Sequence, residues 1–218
     1  MPNRLIYLIS YSLAKLNPPG KIVIIGCGRS GTNYISEVFK SLNLVIGHEY
    51  FGKDGISSWR VVPDTDIRFG GPSFHNLKKY KKTVLHQVRH PLKTIGSLLT
   101  FSEKSWLFTA RFIRFEDSDS LLLKSMKCWY YWNLMAEKKA VFTYRVEAIE
   151  SVAKDILRKT GYIYLFYKYN VPAKVKSISK SVNQRNHKEI TIEMLKEENA
   201  ELAFKIVELA EKYGYEGL

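Results

Sequence analysis

The apolar residues of this chain fall into short, continuous runs that alternate with stretches of helical periodicity. Residues 21–26 (KIVIIG) and 83–88 (TVLHQV) are such runs, which are typical of parallel strands buried on both faces. Apolar side chains at helical spacing follow the first run over residues 33–42. The alternation predicts an α/β fold, a three-layer sandwich in which a central parallel sheet carries helices on both faces.

The remaining elements follow from the same patterns. They are predicted at 1–19 (helix), 44–46 (strand), 91–102 (helix), 121–139 (helix), 140–146 (strand), 149–159 (helix) and 189–218 (acidic helical segment). Residues 47–71 are expected to be mostly irregular, and loops of that length are often functional. The 218 residues are enough for one sizeable core, so we expect a single domain over 1–218.

The N-terminal helix is partly apolar over residues 5–16 but is broken by Ser10, Ser12 and Lys15. It is too short and too polar to span a bilayer. We expect it to pack on the domain, and contact with a membrane surface is the alternative.

Charge is distributed unevenly along the chain. Residues 189–218 carry eight Glu and three Lys, whereas the whole chain has a net charge of +13. The strongly basic remainder suggests an anionic ligand, polymer or surface, with a Lys-rich coat as the alternative. No basic motif interleaved with aromatic residues is present, so nucleic acid is not an expected partner. Cys27 and Cys128 have no metal-ligand spacing, and a reducing cytoplasm is the expected location.

A glycine-rich turn, residues 26–32 (GCGRSGT), follows the first buried run. Glycines let the backbone approach a ligand closely, and N–H groups at the start of a helix converge on an anion. Arg29 adds a permanent charge, and Ser30 and Thr32 add hydroxyl donors. The nucleotide-triphosphatase version requires Lys directly after the last glycine, where this chain has Thr32. The turn therefore predicts an anion site of another kind, unless it is only a helix-capping turn.

A second anion site is predicted where the run 83–88 ends. Arg89 lies at the strand end, Pro91 starts the next helix, and Ser97 lies about two turns along it. Arginine offers a bidentate fork for phosphate oxygens. Taken alone, Arg89 is equally compatible with a surface arginine before a proline-capped helix.

The two motifs together resemble the sulfotransferase family, whose fold is P-loop-like. Residues 28–34 (GRSGTNY) resemble its 5′-phosphosulfate loop, and residues 89–97 (RHPLKTIGS) resemble its 3′-phosphate motif, with Phe101 matching an aromatic that often follows. The resemblance implies transfer of a sulfuryl group from 3′-phosphoadenosine 5′-phosphosulfate to a hydroxyl or amine of an acceptor. A saccharide is a candidate acceptor because of the basic charge.

The resemblance also implies roles for individual residues. Arg29 would contact the sulfuryl group and the leaving phosphate, Tyr34 would stack on adenine, and Arg89 with Ser97 would hold the 3′-phosphate. Residues 181–187 (SVNQRNH) resemble a late basic segment that closes over the nucleotide. The nucleotide-binding residues implied in this way are Gly28, Arg29, Ser30, Gly31, Thr32, Asn33, Tyr34, Arg89, Ser97 and Arg185.

A general base is needed to remove the proton of the acceptor. His48 and Glu49 follow the predicted second strand and are the candidates. The resembled family uses either residue type, and its carbohydrate branch places Glu after the second strand, which slightly favours Glu49. One of the pair could instead orient the loop. No metal is needed for this chemistry.

Two other functional classes stay open at this stage. A small-molecule kinase of the wider P-loop class predicts dependence on ATP and magnesium. A non-catalytic module for anionic polymers predicts salt-dependent polymer binding without nucleotide affinity.

Overall fold

Five short strands form one parallel sheet. A computed structural model describes residues 4–16, 19–63, 83–178 and 189–218. The strands are β1 (Ile22–Ile25), β2 (Ile46–His48), β3 (Gly55–Ser57), β4 (Val84–Val88) and β5 (Phe142–Arg145). They pair in the order β2-β3-β1-β4-β5, with every pair parallel. The α/β fold with a central parallel sheet is therefore confirmed.

Helices occupy most of the remaining described chain. They are α1 (Arg4–Leu16), α2 (Thr32–Ser41), α3 (Pro91–Leu98), α4 (Glu103–Thr109), α5 (Leu121–Glu137), α6 (Ile149–Lys159), α7 (Ile163–Lys168), α8 (Val171–Ser177) and α9 (Ile192–Lys212), with a 3₁₀ turn at Val146–Ala148. The helix predicted over 149–159 has those bounds, and the helix predicted over 121–139 ends two residues earlier. The helix predicted over 91–102 ends at Leu98, and the acidic segment 189–218 is helical over Ile192–Lys212.

Alternate side chains of β1 enter two separate core layers. Val23 and Ile25 pack with α3, α5 and α9. Ile22 and Ile24 pack with α2, α6, α7 and α8. All four side chains are fully buried. A strand covered on both faces must be apolar at every position, which is why this run shows no alternation.

The stretch 47–71, which the sequence predicts to be mostly irregular, contains the strand β3. Its first residue, Gly55, has a φ of 149°, and a Cβ there would come within 1.8 Å of the carbonyl oxygen of Ile22. Only glycine permits this close pairing with β1. A strand of three residues containing Gly and Ser carries neither an apolar run nor an alternation, so the pattern could not reveal it.

The connections of the sheet diverge between β1 and β4. From β1 the chain crosses to β2 at one edge, and from β4 it crosses to β5 at the other, although β1 and β4 are hydrogen-bonded neighbours. In doubly wound sheets, ligands bind outside the carboxyl ends of the strands at such a switch point. The glycine-rich turn after β1 and the Arg89 segment after β4 both lie there.

The N-terminal helix packs on the domain, but with an unexpected face. Helix α1 contacts α7, and the rings of Tyr11 and Tyr164 meet edge to face at 5.4 Å. The least exposed positions of α1 are Tyr7, Ser10 and Ala14, and none of its residues is buried. Among the described residues, no helix is long and apolar enough to cross a membrane.

His86 is a buried titratable group in the centre of β4. Its Nε2 lies 3.1 Å from Asn133 Oδ1, and its Nδ1 lies 3.2 Å from Thr143 Oγ1. The Asn133 amide nitrogen donates to the carbonyl of Trp129, so the amide oxygen faces the ring and Nε2 carries the imidazole proton. Burial lowers the pKa of His86 to about 4, although Asn133 and Glu137 act in the opposite direction.

This shift predicts that stability falls with acidification before the carboxylates titrate. Between the unfolded pKa of about 6.5 and the folded pKa, only the unfolded chain binds the proton, so stability is lost as the pH falls. From pH 7 to pH 5 we expect His86 to contribute about 2 kcal/mol of this loss. Urea unfolding at the two pH values measures it, with His86→Gln as the comparison. An equal loss in both proteins would contradict the assignment.

Candidate active site

The turn after β1 is shaped by two residues with left-handed backbone. Arg29 has a φ of 68° and Gly31 a φ of 91°, and the N–H of Ser30 closes the turn on the carbonyl of Cys27 at 3.2 Å. Gly31 is the N-cap residue of α2 and has no side chain that could accept from the first turn. The N–H groups at the start of α2 are therefore left for another acceptor, and the helix dipole favours an anion there.

Two side chains of the β4 segment hold the carbonyl groups of this turn. Gln87 Nε2 donates to the carbonyl of Ser30 at 2.7 Å, and Arg89 Nη1 donates to the carbonyl of Arg29 at 3.1 Å. Because a trans peptide points its C=O and the following N–H in opposite directions, fixing the Ser30 carbonyl on Gln87 turns the N–H of Gly31 away from β4. The hydrogen bonds therefore set the direction in which the turn presents its donors.

The side chain of Gln87 is itself held in place by a hydrogen bond from β5. It is fully buried, and its Oε1 accepts from the hydroxyl of Tyr144 on β5 at 2.8 Å. Burial raises the pKa of the Tyr144 phenol well above its usual value, so this hydroxyl stays a donor. The chain of hydrogen bonds from Tyr144 through Gln87 to Ser30 links β5, β4 and the turn after β1.

The side chain of Arg29 rests on an aromatic stack that reaches into the core. Its guanidinium carbon lies 5.2 Å from the centre of the Phe101 ring, and its Nη2 donates to the carbonyl of Thr100 at 3.3 Å. The Phe101 ring lies 5.3 Å from Trp59, which in turn lies 5.3 Å from Trp132. This support restricts the positive charge of Arg29 to one place beside the turn.

The environment of Arg89 includes an acidic residue, Glu147, from the 3₁₀ turn directly after the neighbouring strand β5. Glu147 accepts from the backbone N–H of His90 at 3.0 Å and from the Tyr215 hydroxyl at 2.8 Å. Burial lowers the pKa of the Arg89 guanidinium, and Glu147 and Tyr215 oppose this effect. The segment after α9 thus reaches back to the switch point through Tyr215.

The two candidate bases lie on the other side of the turn, at the end of β2. His48 Nε2 lies 3.1 Å from Thr32 Oγ1 and 3.8 Å from Glu49 Oε1. Glu49 has a φ of 62°, and its Oε2 accepts from the Ser58 hydroxyl at 2.7 Å. Burial lowers the pKa of His48, so the imidazole is neutral at pH 7 and has one nitrogen able to accept a proton.

Two local features fit a phosphate at the turn. Ser30 Oγ is buried and has no hydrogen-bond partner among the described residues, and an orphaned hydroxyl of this kind calls for a ligand or water. A Cβ on Gly28 would come within 2.4 Å of the Phe101 ring, so only glycine lets the turn lie this close to the ring beneath Arg29. The residues present therefore fit an anionic group held by backbone N–H donors, a hydroxyl and a guanidinium.

Some of the residues predicted from the sequence do not join this cluster. Tyr34 packs against the α2 core layer, and burial, with Glu150 on α6 as the second cause, raises the pKa of its phenol. Asn33 is half-buried in the first turn of α2, and Ser97 is buried within α3. Arg185 lies outside the described residues. Their assignments as nucleotide ligands stay predictions.

Two aromatic residues of the stretch 47–71, Trp59 and Tyr50, differ in their exposure to solvent. Trp59 is buried and packs against Trp132 and Phe108 in the core. The Tyr50 ring, in contrast, is 62% exposed. Trp59 is therefore a core residue and not a platform for a sugar ring.

The sequence analysis missed Gln87, Tyr144, Glu147 and Tyr215. A signal existed for Gln87, because an amide inside a buried apolar strand must find hydrogen-bond partners. No local pattern could have indicated the Glu147–Tyr215 pair, because its members lie 68 residues apart.

Comparison with models of protein families, with curated proteins and with solved structures finds no match. The function is therefore argued from the residues of this site.

Removal of the Tyr144 hydroxyl tests whether its hydrogen bond to Gln87 stabilises the protein. In Tyr144→Phe the buried Oε1 of Gln87 loses its donor, and we expect the free energy of unfolding to fall by about 1–3 kcal/mol. Urea unfolding monitored by circular dichroism measures the change. Tyr131→Phe, at a ring that is 44% exposed, is the matched control. Equal stability of both variants would show that the hydroxyl does not support Gln87.

Proposed function

We propose that this protein is a sulfotransferase that uses 3′-phosphoadenosine 5′-phosphosulfate. The observation that carries the proposal is the direct hydrogen bond from Arg89 to the carbonyl of Arg29. It joins the two loops whose sequences resemble the 5′-phosphosulfate and 3′-phosphate motifs of that family. Both loops follow neighbouring strands at the switch point of the sheet.

The proposed donor site uses groups at both loops. The N–H groups of Gly28, Arg29, Gly31 and Thr32, together with the hydroxyl of Ser30, would hold the 5′-phosphate, while the N–H of Ser30 closes the turn on Cys27. A guanidinium has five N–H donors, so the single bond from Arg89 to the carbonyl of Arg29 leaves capacity for the 3′-phosphate. Asn33, Tyr34, Ser97 and Arg185 are proposed as further nucleotide contacts on the resemblance alone.

The donor would supply a sulfuryl group, which forms a new bond to the acceptor oxygen or nitrogen as its bond to the 5′-phosphate oxygen breaks. Negative charge then grows on the leaving phosphate, where Arg29 and the amino end of α2 provide positive potential. The proton of the acceptor passes to His48 or Glu49. Positioning and charge stabilisation are the main contributions of the protein in such group transfers.

The geometry at the end of β2 now favours His48 over Glu49 as the base. The imidazole reaches Thr32 of the turn directly, whereas the Glu49 carboxylate is engaged by Ser58. Glu49 would then stabilise the imidazolium that forms when His48 takes the proton, since its Oε1 lies 3.8 Å from His48 Nε2.

A hydroxyl or amine is the proposed acceptor, and an acidic saccharide suits the basic charge of the chain. The proposed location is the cytoplasm. Cys27 and Cys128 are both free thiols and both buried, which fits a reducing compartment.

Nucleotide binding tests the donor site. We expect adenosine 3′,5′-bisphosphate to bind in calorimetry without magnesium, and we expect ATP with magnesium to bind far more weakly. Arg29→Ala and Arg89→Ala each remove a charge that faces a phosphate, which should raise the Kd roughly 30-fold or more. Arg89→Lys keeps the positive charge but loses the bidentate donors of the guanidinium. We therefore expect its Kd to lie between those of the wild type and Arg89→Ala.

Arg158→Ala, at an exposed arginine on α6, is the control and should bind like the wild type. Near-wild-type affinity in Arg29→Ala or Arg89→Ala would refute the donor site. Tight binding of ATP with magnesium would instead favour the kinase class.

Turnover separates the two candidate bases. With an acceptor found by a radiolabelled-sulfate screen over sugars, lipids and phenols, His48→Ala should lower kcat by about 10²–10⁴-fold. Glu49→Gln should lower kcat by a smaller factor, and both variants should keep their affinity for adenosine 3′,5′-bisphosphate. Because burial lowers the pKa of His48, the acidic limb of kcat/KM in the wild type should have its midpoint below the usual histidine value. Full turnover in both variants would place the base elsewhere.

A further inference from the structure

The most apolar face of α1 points into solvent. Leu5, Ile9, Leu13 and Leu16 are spaced by four, four and three residues, which places them on one face of the helix. They are 64%, 53%, 61% and 84% exposed. We call these four side chains the α1 stripe.

The opposite face of α1 makes the contact with the domain. Tyr7, Ser10 and Ala14 are the least exposed positions, and they lie about half a turn away from the α1 stripe. A helix that serves only its own domain directs its most apolar face to the core. In α1, the face that contains Ser10 and Ala14 packs on the domain, and the face of leucine and isoleucine side chains is exposed to solvent.

The segments around α1 are predominantly basic, although Asp54 lies close enough to Tyr164 on α7 to interact electrostatically with it. Residues 1–36 carry four basic side chains and residues 158–178 carry five, and neither segment has an Asp or Glu. Arg4 and Lys168 are exposed, and Lys168 lies close enough to Tyr7 and Tyr11 to interact electrostatically with them. Lys15 lies 4.9 Å from the ring centre of Tyr11. Arg4 and Lys15 lie about a third of a turn from the α1 stripe, towards the polar side of the helix.

Tyrosine rings lie on the side of α1 opposite the α1 stripe. Tyr7 and Tyr11 stack at 5.7 Å, and Tyr11 meets Tyr164 on α7. An apolar face opposite a side that carries tyrosine, lysine and arginine is typical of helices that lie in the interface of a membrane, where anionic lipid attracts the basic residues.

We propose that α1 docks this protein on an anionic lipid surface, with the α1 stripe inserted among the lipids and Arg4, Lys15 and Lys168 facing the headgroups. A second copy of this chain, which has a net charge of +13, would bring more positive charge to this basic surface. An anionic bilayer accommodates both the exposed apolar stripe and the exposed basic side chains of Arg4, Lys15 and Lys168.

Docking in this way leaves the candidate active site open to water. Just before α7, the hydroxyl of Tyr162 lies 3.5 Å from the carbonyl of Gly20, at the amino end of β1. The turn around Arg29 lies at the carboxyl end of the same strand. The proposed membrane face and the candidate active site therefore lie at opposite ends of β1. The inference does not depend on the proposed function.

Vesicle co-sedimentation tests the proposal with the full chain. We expect binding to phosphatidylcholine vesicles that contain about a third phosphatidylserine, and much weaker binding to phosphatidylcholine alone. Ile9→Asp with Leu13→Asp should lower the partition coefficient at least about tenfold, and Arg4→Glu with Lys15→Glu should do the same through charge. Phe204→Asp, at a side chain on α9 that is 63% exposed, is the matched control and should bind like the wild type.

Both double variants should keep wild-type circular dichroism and affinity for adenosine 3′,5′-bisphosphate, because they alter exposed positions far from the Arg29 turn. Vesicle binding that is absent in the wild type, or that is unchanged by either double variant, would overturn the proposal. A dimer in analytical ultracentrifugation that dissociates in Ile9→Asp/Leu13→Asp, without vesicle binding, would assign the stripe to a second copy and would also overturn it.

Discussion

The candidate active site depends on two hydrogen bonds that run from the β4 segment to the turn after β1. Gln87 and Arg89 hold the carbonyl groups of Ser30 and Arg29. A turn rich in glycine has many accessible conformations, and fixing one of them costs conformational entropy. These two bonds, with Tyr144 behind Gln87, select the conformation in which the carbonyls face the sheet and the amide donors face away from it. The anion site is therefore a property of two neighbouring strands and not of the glycine-rich sequence alone.

The same two loops place positive charge at the carboxyl ends of β1 and β4. Arg29 and Arg89 meet at the same turn, where the Arg89 guanidinium donates to the backbone carbonyl of Arg29. The aromatic stack beneath Arg29 fixes its position, and Glu147 lowers the cost of burying Arg89. Preorganised cations of this kind are what a transferring group with growing negative charge requires, because they do not need to reorganise during the reaction.

The parts of this arrangement that could be predicted from the sequence are those carried by local pattern. The apolar runs of β1 and β4 give the sheet and the place of the two loops, because strands buried on both faces leave a clear signal. Strand β3 is too short for any pattern, and the pairing of Glu147 with Tyr215 depends on tertiary contacts between distant segments. Trp59 shows a different limit, since an aromatic residue in a loop has the same local signal whether it stacks on a ligand or fills the core. The outward apolar face of α1 was likewise not predictable, because periodicity reveals an amphipathic helix but not which face is covered.

The central claim is that one doubly phosphorylated adenosine is held between the two loops. A crystal structure of the protein with adenosine 3′,5′-bisphosphate tests it most directly. The account predicts the 5′-phosphate against the backbone N–H groups of Gly31 and Thr32, and the 3′-phosphate within hydrogen-bond distance of the Arg89 guanidinium. A nucleotide bound away from the carboxyl ends of β1 and β4, or with neither phosphate at these groups, would contradict it.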